Sequence, residues 1–181
     1  ERLDRVKGIK IKTTERGMRV GMNLFGGEIE EEIEELSGKK MIGAIEKVTF
    51  YGKDDKEVTL EAKIDTGADS SSIDFSVAEE LGFEKTVASY RALESNWEKL
   101  KDLSKEERWK LFENIPDAVS AVPIHSSHGT TYRIKIQLEM LIDNKRVPVR
   151  ATLIDRSNLD YKSIIGRKNL QKFLVDVSKN S

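Results

Sequence analysis

The chain has 181 residues, 38% hydrophobic and 35% charged, with a formal net charge of −1 and no cysteine. That length supports one well-buried domain, with or without an appendage. Balanced charge gives no global attraction to nucleic acid or acidic membrane, and the missing thiols exclude disulfides, thiol nucleophiles and cysteine-ligated zinc.

Segment 1–40 reads as an N-terminal appendage. "VKGIKIKT" and "MRVGMNL" alternate as strands do, with "ERG" as the turn, and are expected to pair as a β-hairpin. After Gly26-Gly27, Ile29, Ile33 and Leu36 recur at helical spacing among glutamates, and Ser37-Gly38 is expected to end that helix. The acidic run reads as a solvated helix face, with an interaction tail as the alternative. The chain begins at Glu1 rather than Met, as a trimmed fragment would. No long apolar run or signal-peptide pattern is found, so a cytoplasmic location is expected, with no membrane and no nucleic-acid partner.

The main domain is placed at 41–181. "MIGAIEKVTFYG" and "KEVTLEAKID" read as two strands joined by a Gly- and Asp-rich turn. The second runs straight into Asp65-Thr66-Gly67. "SSIDFSVAEELGF" then suggests a short strand and a helical turn closed by Gly82. A helical hairpin is expected as an insertion at about 86–118. Leu93, Trp97 and Leu100 fall at i, i+4, i+7, which predicts one amphipathic helix. Ser104 with Glu107 forms a capping box before Trp109, Leu111, Phe112 and Ile115, and Pro116 ends the run. Its tryptophans are expected to face the core or the domain surface.

β signals return after Ala118. "AVSAVPIHSSHGTTYRIKIQLEML" suggests two strands around a Ser/His/Gly turn, "IDNK" a tight turn, and "RVPVRATLID" a further strand. "SIIGRKNLQKFLVDVS" predicts a short apolar strand, Gly166, a helix and a last strand. Many strands with one C-terminal helix predict a mainly β domain of closed form.

By itself, Asp-Thr-Gly after a strand is also an ordinary turn, since Asp caps amides and Gly permits positive φ. Its apolar, alternating approach and the separate "SIIGRKNL" segment tip the balance. "KIDTGADSSSI" resembles the catalytic loop of retroviral-type aspartic proteases, the retropepsins. "SIIGRKNL" resembles the segment before their C-terminal helix. The chain is similar, more closely, to a bacterial and archaeal retropepsin-like family. That family often bears the label "ATP-dependent zinc protease" and is associated with glutamate ligases that modify a ribosomal protein. "KIDTGA", "HSSHGTTYR", "LIDRSNLDYKSIIGR" and "KFLVDVSK" carry this likeness over roughly residues 41–180.

The resemblance implies a retropepsin-like closed β-barrel and an aspartic endopeptidase. Asp65, Thr66 and Gly67 would be catalytic. Ala68, Asp69, Ser127, His128, Gly129 and Thr130 would bind substrate, the last four on a hairpin flap. Ile165, Gly166 and Arg167 would support the site, with Arg167 in a salt bridge. Asp155 stands where the nearer family often has Asn beside Arg156, which leaves that pair's role open. Only one Asp-Thr-Gly is present, so two chains must meet as a C2 homodimer to give two aspartates, with a peptide or protein as substrate. Two other readings stay open: a catalytically weak binding or scaffold module of the same fold, and a zinc-dependent peptidase.

The residues give zinc and ATP no separate support. His125 and His128 lie three apart in a polar turn, without the spacing of a zinc hydrolase, and there is no Walker-type loop. No metal and no cofactor is expected. Ser70, Ser71 and Ser72 lack a nucleophile elbow and a matching base, which argues against a serine hydrolase.

Overall fold

The computed structural model describes residues 35–179. The expected N-terminal hairpin and all but the end of the expected acidic helix lie outside them. Glu35–Leu36 (β1), Lys39–Ile42 (β2) and Phe173–Val175 (β10) form a three-stranded sheet with β2 in the centre. β2 runs antiparallel to β1 and parallel to β10. Glu35 and Leu36 are therefore strand and not the end of a helix. Ser37 (φ 54°) and Gly38 (φ 76°) both adopt left-handed backbone, so they turn a hairpin where the spacing suggested a helix stop.

The larger sheet holds Ile45–Tyr51 (β3), Glu57–Asp65 (β4), Ser72–Asp74 (β5), Ser120–Ser126 (β6), Gly129–Ile142 (β7), Lys145–Ile154 (β8) and Ser163–Gly166 (β9). Its seven strands run in the order β3-β4-β9-β5-β8-β7-β6. The length of β7, 14 residues, lets one edge serve two partners. Its first half pairs with β6, and its last four residues pair with β3 at Val48–Tyr51. The hydrogen bonds therefore run in a ring, from which β6 and the start of β7 project as a hairpin. The architecture is mainly β, as expected, with ring-like pairing.

Alternation fixes which face is core. Along β7, Tyr132, Ile134, Ile136, Leu138, Met140 and Ile142 are buried, and the residues between them are half-buried or exposed. In β8, Val147, Val149, Ala151 and Leu153 do the same. Asp143 (φ 43°) and Asn144 (φ 61°) make the tight two-residue turn between these strands.

Four helices separate β5 from β6: Phe75–Glu80 (α1), Glu84–Ser95 (α2), Trp97–Leu100 (α3) and Lys105–Glu113 (α4). The stretch expected as a helical hairpin, about 86–118, falls on α2, α3 and α4, which run from Glu84 to Glu113. Leu93, Trp97 and Leu100 do pack against the core, but from two helices, because the chain breaks at Asn96. The Asn96 side chain donates to the Ala92 carbonyl at 2.8 Å and closes α2 there. α4 starts with the expected capping box: the Ser104 hydroxyl accepts from the Glu107 amide, and the Glu107 carboxylate accepts from the Ser104 amide.

The expected C-terminal helix is a single 3-10 turn, Arg167–Asn169. Its first two amides, which a helix would leave free, tie the turn to the loop after Asp65. Arg167 N–H donates to the Ala68 carbonyl (2.9 Å) and Lys168 N–H to the Asp69 carbonyl (3.3 Å). The chain must then extend at Phe173 to pair with β2.

Candidate active site

β4 delivers Asp65. Ala62 and Ile64 point into the core, and Asp65, half-buried, ends the strand beside Gly166 of the parallel β9. The chain then turns on the aspartate itself. Asp65 Oδ1 accepts from Gly67 N–H (3.0 Å) and Ala68 N–H (3.2 Å). Gly67 is not at positive φ, so its use here is the close approach of its amide to the carboxylate, not left-handed backbone. Thr66 and Gly67 are exposed at the loop tip.

The loop after Asp65 is bolted to the segment around β9. Asp69 pairs with the Arg167 guanidinium and with Lys168 Nζ (2.7 Å). The Lys168 hydrogen bond, followed by the Arg167 charge, holds the Asp69 carboxyl below the usual range. Ser71 Oγ accepts from Gly166 N–H (3.1 Å) and donates to Asn169 Oδ1 (2.7 Å). Asn169 Nδ2 in turn donates to the Pro148 carbonyl (3.2 Å). Ile165 is fully buried beneath. The expected residues Asp65, Gly67, Ala68, Asp69, Gly166 and Arg167 thus form one connected unit. Ser71 and Asn169 belong to it too. Their signal was the small hydroxyl run after Asp-Thr-Gly-Ala and the polar residue just past Gly-Arg.

Asp155 and Arg156 stand apart in role. Asp155 is exposed and accepts from the amide and hydroxyl of Ser157, a local turn. Arg156 is buried, and its backbone N–H donates to Asp74 Oδ1 (2.5 Å) while its Nε donates to the Tyr161 carbonyl (2.8 Å). Burial pushes the Arg156 guanidinium down, and the carboxylates of Asp74 and Asp65 push back. Asp74 also caps α1 through Ser76 N–H and the Ser76 hydroxyl.

Ser127, His128, Gly129 and Thr130 lie at the tip of the β6–β7 hairpin. Gly129 takes φ 119°, a conformation that favours glycine. The tip bonds to itself: His125 Nδ1 with Thr130 Oγ1 (3.0 Å), and Ser126 Oγ donating to the Gly129 carbonyl (3.2 Å). The hairpin reaches the Asp65 loop lower down, where Lys135 Nζ donates to Ser70 Oγ (3.0 Å). That link was not read from the sequence, where Lys135 is one polar residue in an alternating strand.

Beside this link lies a hollow of about 520 Å3 lined by Ser70, Lys135, Gln137, Arg150, Lys168 and Asn169. Burial and the nearby Lys168 charge push the Lys135 ammonium down; Asp69 opposes this, and Arg150 adds to it. Lys135, Arg150 and Lys168 together make the hollow basic. Among the described residues no three His, Asp or Glu side chains group closely enough to hold a metal ion. Those described residues offer no donor set that fits zinc.

A family model described as RimB-like, retropepsin-like aspartic endopeptidase RimB, matches residues 41–181. No curated protein matches the chain. Among solved structures, the chain is similar to a protein of unknown function from Legionella pneumophila subsp. pneumophila str. Philadelphia 1. Identity is 17% and the TM-score 0.40, over 77% of this chain and 94% of that one.

Proposed function

The chain belongs to the RimB-like family of retropepsin-like aspartic endopeptidases, and we propose that it hydrolyses peptide bonds as a homodimer. One Asp65 comes from each subunit, in a retropepsin-like barrel. Two carboxyl groups meeting at about 3 Å hold one proton between them, because like charges that close do not both ionise. The ionised carboxylate takes a proton from water as that water attacks the carbonyl. The protonated one donates to the carbonyl oxygen. The resulting gem-diol then returns a hydroxyl proton to the pair as the C–N bond breaks, and the amine leaves with the proton the pair took from water. Proton traffic belongs to the pair as a unit.

The observation that carries this reading is the loop itself. Asp65 is held by two amides of its own turn, and that turn is locked to Gly166, Arg167 and Asn169. A fixed, half-buried carboxylate beside an exposed tip suits a partner's copy across a two-fold axis. Thr66 would meet the partner loop, and Ala68 would leave room for substrate. The β6–β7 hairpin would close over the peptide, with Ser127 to Thr130 at its tip. A peptide side chain reaching the basic hollow meets Lys135, Arg150 and Lys168, so carboxylate side chains fit that position.

Wild type and Asp65→Asn are compared on a diverse peptide library from pH 4 to 7, with and without chelator. Asp65→Asn is expected to lower cleavage by about a hundred- to ten-thousandfold, and chelator to have no effect. Peptides with Glu or Asp near the cut should lead the library over Lys or Arg. Cleavage that survives Asp65→Asn sinks the proposal, and loss on chelation alone points to a metal enzyme instead.

A further inference from the structure

The helical insertion meets the β6–β7 hairpin around Tyr132. Tyr132 lies on β7, three positions after Gly129, and pairs with Pro123 of β6. It is buried, while its neighbours Thr131 and Arg133 are exposed. Burial this close to a hairpin tip needs a cover, and the insertion supplies it. The Tyr132 ring stacks on Phe112 (5.1 Å between centroids) and meets Trp109 edge-on (5.8 Å) and Trp97 edge-on (6.3 Å). Its hydroxyl donates to the Lys105 carbonyl (3.4 Å), and its own carbonyl accepts from the Tyr90 hydroxyl (2.9 Å). Three helices of the insertion, α2, α3 and α4, thus hold one strand residue.

The opposite face of the same strand is also tied. Lys135 lies on the other side of the pleat from Tyr132 and bonds to Ser70 of the Asp65 loop. The aromatic chain runs on from Phe112 through Tyr90 (5.9 Å) to Phe75 (5.6 Å), the residue that follows β5. The hairpin's base is therefore gripped between the insertion and the catalytic loop. Beyond the grip lie Ile124 to Thr131, all half-buried or exposed.

We propose that the helical insertion is a buttress that positions the hairpin, with Tyr132 as the anchored pivot and Trp109 as its brace. Only the segment Ile124 to Thr131 then moves when substrate enters, and the insertion sets its rest position. Trp109 acts through Tyr132 and is a positioning residue. The consequence for catalysis rests on the protease reading; the anchoring itself does not.

The test is amide hydrogen exchange on the full chain, free of substrate, with Trp109→Ala, Trp109→Phe and Leu111→Ala. An aromatic contact of this kind predicts about three- to tenfold faster exchange over Ile124 to Thr131 in Trp109→Ala, with Glu139 to Ile142 unchanged. Trp109→Phe keeps a ring and should restore most of the protection. Leu111, exposed on α4, should have no effect when changed to Ala. Trp109→Leu, milder and in the same direction, serves if the alanine variant unfolds. Where peptide cleavage is measurable, KM should rise more than kcat falls. Unchanged tip exchange in a folded Trp109→Ala overturns the buttress, as does a rise shared equally by Glu139 to Ile142. Failure of the protease reading leaves the exchange result intact, so the two are told apart.

Discussion

A Cβ placed on Gly166 would lie 2.5 to 2.9 Å from the backbone of Ser70. No rotamer relieves a clash with backbone, so the loop carrying Asp65 would have to shift. Gly166→Ala is expected to cost about 1–3 kcal/mol of stability, as overpacking does, and to lower peptide cleavage far more than stability alone explains. Urea unfolding beside cleavage rates checks both. Asp74 offers a different residue-scale prediction. Burial pushes its carboxyl up. The Ser76 hydroxyl, the Arg156 and Ser76 amides and the Lys162 charge outweigh that, so it titrates below its ordinary range. The stability it contributes is complete above the ordinary Asp range and lost as pH falls through the lower folded value. Asp74→Ala should cost about 2–4 kcal/mol at neutral pH, by losing a helix cap and stranding the buried Arg156 amide. It should also flatten the acid limb of wild-type stability, which urea melts between pH 3 and 7 would show. Asp65 and Gly166 were legible because they sit at the ends of apolar strands with a turn residue beside them. Arg156 and Asp74 were not, because their partnership spans separate elements and leaves no spacing in the sequence.

At the scale of elements, local chemistry was readable where nothing distant competed with it. The Ser104–Glu107 box is complete within four residues, and α4 starts there. Ser104→Ala should cost about 1 kcal/mol, with faster amide exchange confined to the first turn of α4. Exchange spreading through α2 would contradict this. The strands β3, β4, β7 and β8 were readable for the same reason, since each pairs with its neighbour in sequence through a short turn. The misreadings fall where strand pairing overrides helical periodicity. The helix expected after Gly166 shrinks to the 3-10 turn Arg167–Asn169, because the expected last strand, Phe173–Val175, must reach β2 to complete its sheet. Leu36 ends an apolar row of helical period, yet it pairs with Lys39. Both elements belong to the small sheet: β10 reaches β2 from the far end of the described chain, whereas β1 turns back on β2 through Ser37-Gly38, a local hairpin that the helical spacing of Leu36 masked.

At the scale of the molecule, a protomer with one Asp-Thr-Gly makes stoichiometry part of the chemistry. The closing of the ring by β7 fixes where Asp65 sits relative to the hairpin, and each protomer brings one Asp65. If the active unit takes one Asp65 from each of two chains, an inactive chain must poison an active one. Wild type mixed with a ninefold excess of Asp65→Asn, after subunit exchange, leaves about a tenth of wild-type chains in wild-type pairs by random C2 association. Cleavage per wild-type chain should fall to about that fraction. Specific activity of wild type alone should also drop on dilution, in step with the loss of dimer mass measured by sedimentation. A monomer that keeps full activity, or a mixture whose activity per wild-type chain is unmoved by Asp65→Asn, would mean the second carboxylate comes from within the protomer. Any such group would have to reach the Asp65 loop, and the ionised side chain nearest along that loop, Asp69, is already committed to Arg167 and Lys168.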